Sequence, residues 1–513
     1  MSGPLKQPTT RGIWLFVFIL SAILVSIPVA GYLVLDRRGK SAWAAFVKDA
    51  RARGEWIEPH TLIPPPVPDE ENFAAAPMFA PLFDYTKTPP ISGNAIWGNP
   101  SGRTDLLSVN LEGGKARKFG SWLRGIPTDL GEWQTDAVKP NDLTKSPAED
   151  VLTALSRFDR TMAAVRAAAL RPRSRFPVHY DELPPADSHC LAIEHLAEIA
   201  ILRASAELSL GRTDDACADA ELSLRLARTL DGEPALLDAI LEAALVRMAL
   251  QPVWEGLVTH QWNDAHLKAL DAQLSQFNLA ACIERGLLGE REFHCFPLLD
   301  FVKQDRRVFR AMLEDDREEW YNRTKWSNRI WTNSLPDGWI DEKKAIAGKF
   351  FRRWLDCIDP KTVRFFPKKV EYAIGEEDRM LRNRELLPVT AASLGYPREI
   401  VLRSATSQAF AQLARLALEL ERHRVVHGIY PERLTDLLDL EPAGFTVPVD
   451  PASGHPAHYR LDPHGGYILY YDGWNEMDDG GKTVWKDAWK EPLERTNIDW
   501  GAGDWVWPKM RWK

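Results

Sequence analysis

Residues 427–437 read HGIYPERLTDL, 447–460 VPVDPASGHPAHYR, 466–481 GYILYYDGWNEMDDGG and 503–508 GDWVWP. A helical pattern precedes them. Pro397 suits a first helical turn, where its missing N–H is not needed. Val401, Ala405, Ala409, Leu413, Leu416 and Leu420 then recur three or four residues apart, which places them on one helical face. Gly428 is a natural stop, and Pro431 cannot continue a helix. Tyr467, Leu469 and Tyr470, alternating with Gly466 and Ile468, read as a strand. A long helix, short strands and an acidic, Gly-rich loop predict a small α+β module over 396–513.

The order of these pieces resembles the soluble part of type II secretion major pseudopilins. His427 to Leu438 resembles that family's nGxYP…L..L signature. Val449-Asp450-Pro451, Gly454, Pro456 and Tyr459 resemble its DPWGnPYxY strand-turn. Asp472-Gly473-Trp474-Asn475 with Asp478-Asp479-Gly480-Gly481 resembles its GaDGxxGG loop, and Gly503-Asp504-Trp505 its closing aDI.sW. The match covers roughly a quarter of the chain. The N-terminus departs from the family: IWLFVFILSAILVSIPVAG, residues 13–31, contains no GFTLIE-type processing motif. The resemblance implies a bacterial envelope protein whose bulk lies outside the inner membrane. Because family members bind calcium in this loop, it also implies Asp472, Asn475, Asp478, Asp479 and Asp504 as candidate calcium ligands. A hard cation needs several oxygens on a flexible turn, and these residues supply them. The family's first loop Asp aligns with Asn475. The alternative is a solvated acidic turn in which glycine supplies positive φ.

Ile13 to Leu35 carries no Asp, Glu, Lys or Arg, and it meets the requirement of roughly 20 apolar residues for a membrane span. Arg37 and Arg38 follow at once, so the run predicts an uncleaved signal anchor. The flanking charges oppose the orientation implied by the resemblance. Lys6 and Arg11 precede the span, whereas Arg37, Arg38, Lys40, Lys48, Arg51 and Arg53 follow it, which favours a cytoplasmic bulk. A net charge of −8 gives no electrostatic case for nucleic acid. Cys190, Cys217, Cys282, Cys295 and Cys357 form no CxxC pair, so neither a zinc site nor a dense disulfide framework is indicated.

The expected organisation is a tail (1–12), an anchor (13–35), a basic helix and Pro-rich spacer (36–68), and an irregular wrapping segment (69–145). An α-helical hairpin domain (146–395) and the C-terminal module (396–513) follow. Ser146-Pro147-Ala148-Glu149 combines an N-cap, a first-turn Pro and a capping-box Glu. Helices are expected near 190–210, 214–230, 234–251, 263–276 and 279–290, with more helix over 301–317, 320–331 and 350–354. LSLGRTDDACADAELSLRLA, residues 208–227, resembles one tetratricopeptide-type hairpin, without a repeat at that family's period. The fold class predicted is therefore mainly α: a transmembrane helix, a helical-hairpin array and a small α+β pseudopilin-like module.

Catalytic signals are weak. Glu290, Glu292, His294 and Cys295 form the densest reactive cluster, but similar groups are common at a solvated helix end. His189-Cys190 and His195 are metal-ligand types without a further partner in the sequence. There is no P-loop, HExxH or GxSxG. Tryptophan is abundant at 20 residues, seven of them between Trp474 and Trp512. Such residues fill a small core or stack on glycans. The expectation is a non-enzymatic structural or protein-interaction component, membrane-attached through 13–35, with protein partners and no cofactor beyond possible calcium. The alternatives are an envelope glycan-binding protein or hydrolase using the Trp-rich end, and a cytoplasmic membrane-tethered adaptor.

Overall fold

A computed structural model of the chain describes residues 10–55, 59–87, 95–111, 119–137, 146–180, 182, 188–307, 332–383, 385–386, 390, 397–439, 446–463, 465–486 and 498–509. It is 65% helical and 8% strand, so the sheets are small additions to a helical body. In chain order the helices are α1 (Thr10–Ala52), the short α2 (Pro59–Leu62), α3 (Pro100–Leu107) and α4 (Leu130–Ala137), then α5 (Pro147–Leu155) and α6 (Asp159–Ala169). Next come α7 (Ser188–Ser209), α8 (Thr213–Arg228), α9 (Leu236–Val258), α10 (Asp264–Leu274) and α11 (Leu279–Gly289). The last are α12 (Phe296–Gln304), α13 (Asp337–Leu355), α14 (Pro367–Arg382) and α15 (Pro397–His427). The expected helices over 308–331 lie outside the described residues.

The contacts divide the chain into two compact units, 1–58 with 294–352 and 376–395, and 59–293 with 353–375 and 396–513. In the first unit the apolar run and the basic segment after it are one continuous helix, α1, rather than an anchor followed by a separate helix. Neither Gly39 nor Pro28 breaks it; both are accommodated inside the helix. Its C-terminal half packs against α12 and α13. The Phe296 ring stands edge-on to Trp43 at 5.2 Å, and Phe46 is 3% exposed. Two glycines let the backbones touch. A Cβ on Gly39 would lie 1.5 Å from the Gly338 carbonyl oxygen, and one on Gly338 would lie 1.9 Å from that of Asp36. The Asp36 carboxylate accepts the Gly338 N–H at 2.9 Å, so α1 caps the first turn of α13. Pro336 immediately precedes α13, and Gly338 lies in its first turn.

In the second unit α7 and α8 form a hairpin closed at Gly211, whose φ of +71° favours glycine. The capping box at Ser146 and Glu149 is present. α15 spans 31 residues between Pro397 and His427, bounded as its Pro and Gly signals predict. Its expected apolar stripe is buried, but Leu402, Phe410, Ala411, Ala414, Ala417 and Leu418 on its other faces are buried as well. The reason is packing on both sides: α9, α10 and α11 contact one part of its surface, while strands β6, β8 and β9 of the C-terminal module contact another.

The strands are short. β1 (Tyr85–Lys87) pairs with β2 (Ala95–Trp97), and β3 (Ile358–Asp359) with β4 (Arg364–Phe365). In the C-terminal region β5 (His458–Leu461), β6 (Tyr467–Tyr471) and β9 (Trp505–Val506) form one antiparallel sheet in the order β5-β6-β9. β7 (Thr483–Trp485) pairs with β8 (Ile498–Gly503). Tryptophans join this module to the helices. Trp122 packs on Phe410 at 5.2 Å and on Trp507 at 5.4 Å, and the Trp254 indole donates to the Pro508 carbonyl at 2.9 Å.

Replacing Gly338 by Val forces a side chain into the Asp36 backbone. The expected loss is about 3 kcal/mol or more, the upper end of overpacking costs. Thermal unfolding of the detergent-solubilised chain measures it, and an unchanged midpoint would show that the glycine contact is dispensable.

Candidate functional site

The acidic loop after β6 is held by carboxylates that turn inward. Asp450 is buried, and its carboxylate accepts the Ala452 and Gly473 N–H groups and the Ser453 hydroxyl at 2.8–3.0 Å. Burial raises its pKa, against the lowering effect of those bonds. Asp504 is also buried and accepts three backbone N–H groups, from Asp479, Gly481 and Lys482. Gly481, with φ of +80°, shapes that nest of donors.

Asp472, 3% exposed at its side chain, bridges two histidines: His455 Nδ1 at 2.6 Å and His458 Nε2 at 2.7 Å. The His458 ring stacks on Tyr470 at 4.7 Å and 9°. Tyr470 in turn donates to Asp478, which also accepts the Gly480 N–H. Asn475 donates to Asp479 at 2.8 Å. The five candidate calcium ligands therefore share one loop region, and each takes part in a hydrogen bond within the protein. A cation binding there would compete with those donors for the carboxylate oxygens. His455 and His458 lie within the stretch that carries the strand-turn pattern, but nothing in their spacing indicates that both meet one carboxylate across the turn. A buried carboxylate orienting a half-exposed imidazole suits acid–base work, but Ser453, the neighbouring hydroxyl, donates to Asp450 instead.

A second cluster lies inside the helical array. His189 and Cys190 sit in the first turn of α7, and α9 brings Asp238 to them. His189 Nε2 is 2.7 Å from Asp238 Oδ1 and 3.7 Å from Cys190 Sγ, and all three residues are buried. Their ligand atoms lie within 4.8 Å of one another, so these are N, S and O donors that could hold a transition metal. Sequence alone shows the His-Cys pair but not the Asp, 49 positions from His189. His195 does not belong to this trio. Beside it, Glu233 accepts the Phe176 N–H at 2.9 Å and the Tyr180 hydroxyl, and burial pushes its carboxyl upward.

One turn along α9, Glu242 groups with Asp231 and Cys282. Burial pushes the Glu242 carboxyl up to about 8 and raises the Cys282 thiol well above its usual range. The segment from Glu290 to Cys295 forms a π-helical turn, a form often found where a helix is locally distorted. Glu290, Arg291 and Glu292 are buried there, and Arg291 bonds Glu292 at 2.8 Å. This is a packed ion pair, unlike the solvated helix end expected from the sequence.

No family model, curated protein or solved structure matches the chain.

Two outcomes test these sites. With the loop oxygens engaged by protein donors, the melting midpoint of the full chain is expected to be the same with excess calcium and with chelator. A rise with calcium would instead assign the loop to the ion, because a ligand of the native state alone raises stability. For Glu242 the folded pKa lies above the unfolded one. The native state thus binds more protons between about pH 4.5 and 8, and stability falls as pH rises through that window. Glu242→Gln removes this titration. It should flatten that part of the stability profile and raise stability at pH 8 by on the order of 1–3 kcal/mol. Parallel profiles for the two proteins would refute the assignment.

Proposed function

We propose that this chain is a membrane-anchored, non-enzymatic structural or protein-interaction component of the bacterial envelope. The observation that carries the reading is α1. From Trp14 to Leu35 its large apolar side chains are exposed, Trp14 and Phe18 each at 71%, and the most apolar window of the helix is 0% buried. No described residue covers this surface, and hydrocarbon would. The helix is long and apolar enough to cross a membrane. The larger unit is a helical array packed around a buried helix, a body suited to presenting protein-binding surface.

The tryptophans favour this reading over glycan chemistry. Trp474, Trp505 and Trp507 are buried in the C-terminal module, while Trp485 is exposed and Trp500 half-buried. Trp489 and Trp512 lie outside the described residues. Most of the described indoles in this region serve as core rather than as an exposed row of stacking platforms.

Two orientations follow from different observations. The pseudopilin resemblance of 396–513 supports an extracytoplasmic bulk and a task related to secretion or pilus-like assembly. The basic residues after the span support a membrane-tethered cytoplasmic adaptor, as do five buried cysteines without a disulfide. We take the extracytoplasmic reading first. An alkaline-phosphatase fusion after Lys513 should then be active, and a reporter that fluoresces only in the cytoplasm should be dark. The reverse pattern would establish the adaptor topology and leave the pseudopilin likeness without a shared task.

A further inference from the structure

A pocket of about 340 Å³ opens in the larger unit, lined by four arginines: Arg171 and Arg173 after α6, and Arg225 and Arg228 in the last turn of α8. Among the described residues only Arg173 of the four has a carboxylate partner, Glu71 at 3.6 Å. Arg171 donates to the Asn72 carbonyl at 2.9 Å, and Arg225 to the Ala169 carbonyl at 3.0 Å. These bonds orient the guanidinium groups without neutralising them. The Arg228 guanidinium has no hydrogen bond or ion pair among the described residues. Burial lowers its pKa, and Arg225 adds like-charge repulsion. Asp231 and Glu242 act on Arg228 from a distance, but Asp231 pairs with Arg285 at 2.8 Å, and Glu242 is held toward its neutral form.

The same pocket holds unsatisfied neutral groups. The Ser174 hydroxyl oxygen and the Gln273 carbonyl oxygen are enclosed, with no hydrogen-bond partner among the described residues. Leaving such groups unpaired is costly, as is gathering four guanidinium groups of which only one has a carboxylate partner among the described residues. The dipole of α8 favours basic residues at its C-terminus, which accounts for Arg225 and Arg228. It does not account for Arg171, which arrives from another segment, or for the concave shape.

We propose that this pocket binds a small phosphorylated molecule, with Arg171, Arg225, Arg228 and the Ser174 hydroxyl holding the phosphate oxygens. Guanidinium forks match the planes of phosphate oxygens and form charge-assisted bonds. The volume exceeds what a single inorganic phosphate needs and sits at the small end of ligand pockets. The Gln273 carbonyl oxygen is an acceptor and would suit a hydroxyl on the same ligand rather than its phosphate.

The test is a calorimetric titration of the full chain, in nanodiscs of zwitterionic lipid at near-physiological salt, with pyrophosphate as the probe. Saturable binding to one site is expected, accompanied by a rise in melting midpoint. Arg228→Gln removes no hydrogen bond seen in the fold and should weaken binding at least tenfold. Arg171→Gln provides a second variant should the first fail to fold. Absence of binding by the native chain, or equal affinity in a folded variant, would overturn the proposal. A further arm adds phosphatidic acid to the nanodiscs. If it competes with pyrophosphate, the natural phosphate belongs to a lipid headgroup; unchanged affinity points to a free molecule.

Discussion

The burial of α15 on more than one side is the constraint on which the rest of the larger unit depends. An exposed helix needs only one apolar stripe, whereas α15 is covered by helices and by strands, so residues outside its stripe must also be apolar or small. Each fully buried leucine contributes about 2 kcal/mol, and this helix holds several. Where charges enter its last turns, they are matched. Arg422 bonds Glu419 at 2.8 Å and Asp264 at 3.1 Å. Glu421 accepts from Arg424 and the Tyr430 hydroxyl and meets His260 at 2.9 Å. Burial works against the charged form of Glu421, but these partners outweigh it and hold the carboxyl below its usual range.

The Glu421 cluster also fixes the entry to the small sheet. Tyr430 packs edge-on to Tyr467 of β6 at 5.0 Å, and the Tyr459 hydroxyl donates to the Pro431 carbonyl at 2.7 Å. The GIYP segment is thus more than a helix stop. Its aromatic ring and carbonyl connect the end of α15 to β5 and β6. The same economy appears in the acidic loop, where inward-facing carboxylates bind backbone N–H groups and imidazoles. A buried carboxylate without donors would be costly, and the glycines allow the backbone to supply them.

The two interior polar clusters differ in their balance. His189 Nε2 and Asp238 Oδ1 meet at hydrogen-bond distance, so these two buried atoms satisfy one another. Around Glu242 the carboxyl is held toward its neutral form, with the Cys282 thiol and Asp231 nearby. Both clusters flank the first turns of α9, where the loop from α8 returns and Gly289 lets the end of α11 approach Pro234. A Cβ on Gly289 would lie 1.8 Å from the Pro234 carbonyl oxygen. The arginine pocket lies at the other end of that connection, on the C-terminal turn of α8.

Local signals are legible in the sequence alone. The uninterrupted apolar run, the Ser146 capping box, Gly211 between two helices, and Pro397 and Gly428 around α15 act over a few residues, so sequence determined the main helices and the strand at Tyr467. It also identified the acidic loop, His189-Cys190 and the cluster at Glu290. The sequence does not show the second packing face of α15, the approach of Asp238 to His189, the two imidazoles on Asp472 or the four arginines around one pocket. Each joins residues from segments whose separation carries no periodic or spacing signal. Propensity and capping are local energies and can be read along a chain; convergence of side chains depends on how helices dock, and only the tertiary structure decides that.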